Sequence, residues 1–167
     1  EMTSGDQEKL VKLLREHSLD LILSSHPVVP EGKVNFHSHI LLSSPVVFVC
    51  SKKVKGRDRE LQEILKQTPL YLPGKSFEAR AELDAHIERF RVPPKIAGLV
   101  DDIALLRLFA VQSGAVVAMP QMGVQNEIDS GEVVIIEKAG RIEQRFYAIT
   151  REKRVRNQLI SELIESI

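Results

Sequence analysis

Between Lys95 and Pro120 the chain reads KIAGLVDDIALLRLFAVQSGAVVAMP, and this segment restricts the possible fold more than any other. Ile96 to Val100 is an apolar run of strand length, halted by the carboxylates of Asp101 and Asp102. Ile103, Leu106, Phe109 and Ala110 then recur at helical spacing until Ser113-Gly114 ends the helix. Ala115 to Ala118 opens a second apolar run. A strand, a helix and a strand in this order make a crossover between parallel neighbours, and ligands of such sheets sit beyond the carboxyl ends of the strands. The turn at Asp101-Asp102 is therefore where a pocket is expected.

The flanking sequence repeats the alternation. Ser4 and Gln7 match a capping box ahead of a helix whose apolar face is Leu10, Val11, Leu13 and Leu14, and Leu19 to Leu23 follows as a short buried strand. In Val34 to Ile40, alternation predicts a half-buried strand, and Val46 to Cys50 reads as a separate buried run. A basic, solvated stretch from Lys52 to Glu60 precedes a helix around Leu61 to Lys66, a strand at Leu70 to Leu72 and a helix carrying Ala79, Leu83, Ile87 and Phe90. Beyond Pro120 come a short helix ending near Asp129-Ser130-Gly131 and a strand from Glu132 to Ile136. Ala139-Gly140 is read as a turn into a strand at Ile142 to Thr150, and a last helix carries Val155, Leu159, Ile160, Leu163 and Ile164. Together these predict an α/β protein with mostly parallel strands.

Composition removes several classes. At 167 residues, 43% of them apolar, the chain can bury one ordinary core or two small ones. Lysine plus arginine and aspartate plus glutamate both number 23, so net charge gives no reason to expect a nucleic-acid surface. The single cysteine, Cys50, excludes an internal disulfide and fits a reducing compartment. No apolar run is long enough to span a membrane, and the opening Glu1-Met2 shows no signal-peptide pattern and looks like the start of an excised piece. G-x-S-x-G, H-E-x-x-H and G-x-G-x-x-G are all missing, so an enzyme reading has no specific support.

The residues also carry a family likeness. LPGKSF at Leu72 to Phe77, the unit GLVDDIALLRLFAVQSGAVVAMP, the opening SGDQEKLVKLLREHSLDLILSS and the late RFYAIT resemble the effector-binding domain of LysR-type transcriptional regulators over nearly the whole chain. Within that family the likeness is greatest to regulators of sodium/proton antiporters. The resemblance implies a two-lobed, periplasmic-binding-protein-like fold of type II, with a ligand cleft between the lobes. Residues 1–45 would open lobe I, 46–146 would form lobe II and 147–167 would return to lobe I, with crossings near Pro45-Val46 and Phe146-Tyr147. It further implies that the first strand and helix of lobe I are absent from this sequence. The partners implied are a small-molecule or monovalent-cation effector and DNA, the latter only through an N-terminal helix-turn-helix absent here. A homodimer or tetramer is implied for the full-length protein, with Phe77 to Phe90 as a contacting helix. Neither a cofactor nor a membrane is implied, and the location would be cytoplasmic. The alternative is a solute-binding protein of a transport system with the same fold, and an enzyme ranks third.

Six residues are the candidate ligand contacts: Ser4, Gly74, Lys75, Ser76, Asp101 and Asp102. Gly74-Lys75-Ser76 resembles the end of a phosphate-binding loop, but Pro69 stands where the first glycine of that motif belongs, which argues against a nucleotide. Ser76 can cap the following helix, or its hydroxyl, the helix amides and Lys75 can hold an anion. Asp101 and Asp102 face the same choice between capping and ligand contact. Two carboxylates exceed what one cap needs, and the resemblance makes a monovalent cation a candidate for them, against which Lys75 would act by repulsion. Ser4 is a weaker contact from the other lobe, with capping as its competing task. His37 and His39 share a strand face without an evident third metal ligand, and Cys50 is expected in the core. The basic residues of Lys52 to Arg59 and Arg151 to Arg156 read as solvated faces.

Overall fold

The structure, a computed structural model, describes residues 2–29 and 35–151. Val34 and the helix expected through Val155 and Ile164 lie outside the described residues. The described elements in chain order are α1 (Gln7–Arg15), β1 (Ile22–Ser24), β2 (Phe36–Ser51), α2 (Leu61–Leu65), β3 (Leu70–Pro73), α3 (Arg80–Ile87), β4 (Ile96–Val100), α4 (Ile103–Gln112), β5 (Val116–Pro120), a 3-10 turn (Gln121–Val124), α5 (Gln125–Asp129) and β6 (Val133–Arg151). Strand pairing follows the order β1-β6-β2-β5-β3-β4. The chain divides into two compact units, one holding the described residues of Glu1–Ser43 and Arg145–Ile167, the other Ser44–Gln144.

In the larger unit β3 lies between β4 and β5 and pairs with both in parallel, so α3 and α4 are the crossovers that parallel strands require. Helices cover both faces. One face collects Val46, Phe48 and Cys50 of β2 with Leu70 and Leu72 of β3, beneath Leu61, Ile64, Leu83 and Ile87 of α2 and α3. The other collects Val47 and Val49 with Val117 and Met119, beneath Leu106 and Ala110 of α4. Because successive side chains alternate between faces that are both buried, Val46 to Cys50 and Val116 to Met119 must be apolar at every position. That is why these stretches read as runs rather than as alternation.

The smaller unit is built on antiparallel β1 and β6, with Ile22 opposite Ile149 and Ser24 opposite Tyr147. Leu14 of α1 packs there against Ile22, Phe36, Tyr147 and Ile149. The expected capping box does not form. Helix α1 starts after Asp6, whose side chain makes no cap hydrogen bond, and Ser4 lies exposed two residues earlier.

Two further expectations need correction. Mostly parallel pairing holds for β3 with β4 and β5, but β2 with β5 and β1 with β6 are antiparallel. Strand β2 is separated from β5, and β1 from β6, by several other elements, so no single crossover helix fixes their relative direction. The strands expected on either side of Ser43-Ser44 are one strand, β2, and those on either side of Ala139-Gly140 are one strand, β6. Gly140 has φ 61°, a conformation open to glycine, so β6 passes a backbone irregularity without ending. Read locally, the same glycine signals a turn.

Candidate functional site

The carboxyl ends of β3 and β4 lie level, with Pro73 opposite Val100. The Gly74 amide extends the pairing by one step, donating to the Val100 carbonyl at 2.9 Å, and the chain then turns as the Phe77 amide donates back to the Gly74 carbonyl at 3.2 Å. Asp101 folds over this turn. A Cβ placed on Gly74 would lie 1.6 Å from Asp101 Oδ1 and 2.4 Å from its Cγ, so the carboxylate occupies the space that any other residue would need. The Ser76 hydroxyl donates to the same Oδ1 at 3.0 Å.

The adjacent carboxylate has a different task. Asp102 is the N-cap of α4, and its Oδ1 accepts from the amides of Ala104 and Leu105 at 2.7 and 3.1 Å. Those are two of the amides a helix start leaves without internal partners, and the negative charge suits that end of the helix. Capping thus engages Asp102 and leaves Asp101 to the loop.

Ser76 does not cap a helix. Helix α3 begins only at Arg80, with Ala79 at its N-cap and no side-chain cap bond, because residues 74 to 79 are spent on successive turns. The likeness to a phosphate-binding loop at a helix start fails for the same reason. Lys75 projects from the turn, exposed and without a hydrogen-bond or ion-pair partner among the described residues.

Arg80 was not evident from the sequence. Its side chain, 14% exposed, donates from Nη1 to the Pro73 carbonyl at 2.6 Å and from Nε to Asp84 Oδ1 at 2.8 Å. It thereby ties the start of α3 to the last residue of β3. The only sequence signal is an arginine and an aspartate four residues apart, which any solvated helix can carry.

The structure therefore brings Gly74, Lys75, Ser76 and Asp101 together, with Asp102 next to them but engaged by its helix. Ser4 belongs to the other unit. His37 and His39 are exposed on β2 with ring centroids 6.2 Å apart, and no group of three metal-ligating side chains exists among the described residues. Cys50 is fully buried, and burial pushes its thiol up from 9.0 to about 11, with Arg57 opposing and Asp58 adding to the rise. Among the described residues no helix is long and apolar enough to cross a membrane.

What remains is a surface loop that can donate from a serine hydroxyl and an ammonium and accept at a carboxylate, with no nucleophile activated by a base. The sequence matches the LysR substrate binding domain over residues 1–167. The chain belongs to this family. LysR substrate-binding domains are the effector-binding, non-catalytic parts of LysR-type transcriptional regulators, and their α/β two-lobed fold is that of this chain. Solved structures agree on the fold. DarR of Vibrio fischeri in complex with DNA has a TM-score of 0.77 at 16% identity, the match covering 98% of this chain and 56% of that one. A sulfate-bound variant of the OxyR2 regulatory domain from Vibrio vulnificus has 0.69 at 18% identity, covering 96% and 76%. The apo regulatory domain of HypT from Salmonella typhimurium has 0.66 at 19% identity, covering 98% and 78%. The chain thus spans little more than half the length of a whole regulator such as DarR. No match is found among curated proteins.

Proposed function

We propose that this LysR-type domain senses its effector at the loop formed by Gly74, Lys75, Ser76 and Asp101, and that the effector is a monovalent cation, sodium or lithium, as in regulators resembling NhaR. The observation that carries this reading is the Ser76–Asp101 pair folded over Gly74. It supplies a carboxylate and a hydroxyl at the carboxyl ends of two parallel strands, where ligands of such sheets bind. Asp101 is preferred to Asp102, since the latter already accepts two amide hydrogen bonds. A sensor half-saturated near 10 mM sodium needs only about 3 kcal/mol of binding free energy, within reach of a few oxygen ligands.

Lys75 favours a second reading. Exposed and without a described partner beside Ser76, it suits an organic anion better than a cation. In an intact regulator, induction by sodium chloride against potassium chloride at matched osmolarity separates the two. Loss of sodium selectivity in Asp101→Asn, with Lys75→Ala still responsive, supports the cation. Unchanged selectivity in Asp101→Asn, Asp102→Asn and the double variant overturns it, and loss of response in Lys75→Ala alone moves the assignment to an anion.

In the whole protein, effector binding would favour one of two conformations and bias a DNA-bound homodimer or tetramer in the cytoplasm, with DNA held by a helix-turn-helix. The other reading of this fold, a solute-binding protein of a transport system, gives way to the match with the LysR family over the whole sequence.

A further inference from the structure

Within the unit Ser44–Gln144 a second concave site lies at the opposite end of β3 from Gly74. The loop that follows β2, the turn from α2 into β3 and the turn from α4 into β5 enclose an open cavity of about 740 Å³. Lys53 and Lys55 line it from the loop, Gln67 and Thr68 from the first turn, Gln112 and Gly114 from the second. No carboxylate contributes to the lining, and neither ammonium has a hydrogen-bond or ion-pair partner among the described residues.

The loop carrying the lysines has a fixed course. Val54, between them, is 8% exposed and belongs to the apolar cluster under α2 and α3. Its amide donates to the Ser51 carbonyl at 2.9 Å, Arg57 donates to the Lys52 carbonyl, and the Arg59 amide donates to Gly56 at 3.0 Å. Asp58 and Glu60, the acidic residues of the same loop, are exposed and outside the cavity. Burying Val54 sends its two neighbours to the same concavity, and a cation pair held there attracts an anion. At Gly114, with φ 67°, nothing stands within 4 Å of where a Cβ would lie, so that wall stays open.

The neutral part of the lining refines the chemistry. Gln67, Thr68 and Gln112 carry groups that accept hydrogen bonds as well as donate them, so they suit a ligand that is not made of acceptors alone. A ligand that pairs its negative group with the lysines while donating hydrogen bonds elsewhere meets both demands. We propose that this cavity is a second ligand site of the domain, for a small organic anion that also carries hydroxyl or amino donors. It is separate from the Gly74–Asp101 loop but linked to it by β3, a four-residue strand spanning roughly 13 Å.

Malate and succinate, dicarboxylates of equal charge of which only malate has a hydroxyl, test the proposal by calorimetric titration into the chain. Saturable malate binding near about 1 mM is expected, with succinate at least about threefold weaker. In the Lys53→Gln/Lys55→Gln double variant malate affinity should fall at least about tenfold with unchanged thermal stability, and in Asp101→Asn it should persist. Failure of both acids to bind saturably overturns the proposal. So does binding that survives the double lysine variant, or that is lost in Asp101→Asn. Duplex DNA that displaces malate through the same lysines would overturn it in favour of a nucleic-acid surface.

Discussion

At the scale of single residues, the Gly74–Asp101 contact makes the sharpest demand. Gly74→Ala forces the Asp101 carboxylate out of the space it fills, at a cost of about 1–3 kcal/mol, and should abolish effector response. Removing the obstruction should restore stability, so Gly74→Ala/Asp101→Ala is expected to melt closer to Asp101→Ala than additivity allows, a coupling that a double-mutant cycle measures directly. Asp102→Ala should lower stability by about 1 kcal/mol through loss of its two cap bonds, while Asp102→Ser keeps most of it. Cys50, with its thiol near 11, holds about a hundredfold less thiolate than an unburied cysteine and should resist iodoacetamide until the chain unfolds. The same shift fixes a pH dependence. The folded state keeps the proton that the unfolded state loses above 9.0, so this contribution to stability is complete below 9.0 and is lost as the pH rises towards 11. Denaturant midpoints of wild type and Cys50→Ala, compared across that range, should show the wild type losing more.

At the scale of elements, α4 shows how far periodicity can be read. Leu106 and Ala110 are buried as their spacing predicts, whereas Leu105 and Leu108 are 41% and 45% exposed although equally apolar. Leu106→Ala should cost about 2–5 kcal/mol by emptying a fully buried position, and Leu105→Ala less than about 1 kcal/mol, as urea unfolding of each variant will show. The turn bearing Asp101 and Asp102 was legible because a polar pair between an apolar run and a helical repeat admits few alternatives. The turn bearing Ser76 was not, because a serine before a helix reads as a cap whether the helix starts at once or three residues later. By local sequence alone, β2 and β6 each divide into two. A local reading breaks a strand at Gly140, and nothing in the sequence reports the neighbours that keep β6 continuous. Helix α3 buries Leu83 and Ile87 in its own unit, so any contact with a partner would use its opposite, exposed face.

For the whole molecule, 23 basic and 23 acidic residues predict that this chain alone does not bind duplex DNA. Sequence-selective, salt-dependent retardation of DNA by the 167-residue chain would contradict its reading as the sensing part of a regulator. The fold class followed from alternating apolar runs and helical repeats, which report on local burial. Strand direction did not, because β2 and β6 find their partners across long stretches of sequence. The division into units bears on synthesis. Ser44–Gln144 is one uninterrupted stretch, and every residue of its two apolar clusters has been synthesised once Gln144 is made. The other unit must wait, because Ile22 on β1 finds Ile149 only when the end of β6 leaves the ribosome. A nascent chain therefore carries α1 and β1 unpaired through most of its translation, and the last part of the described chain to be translated completes the first.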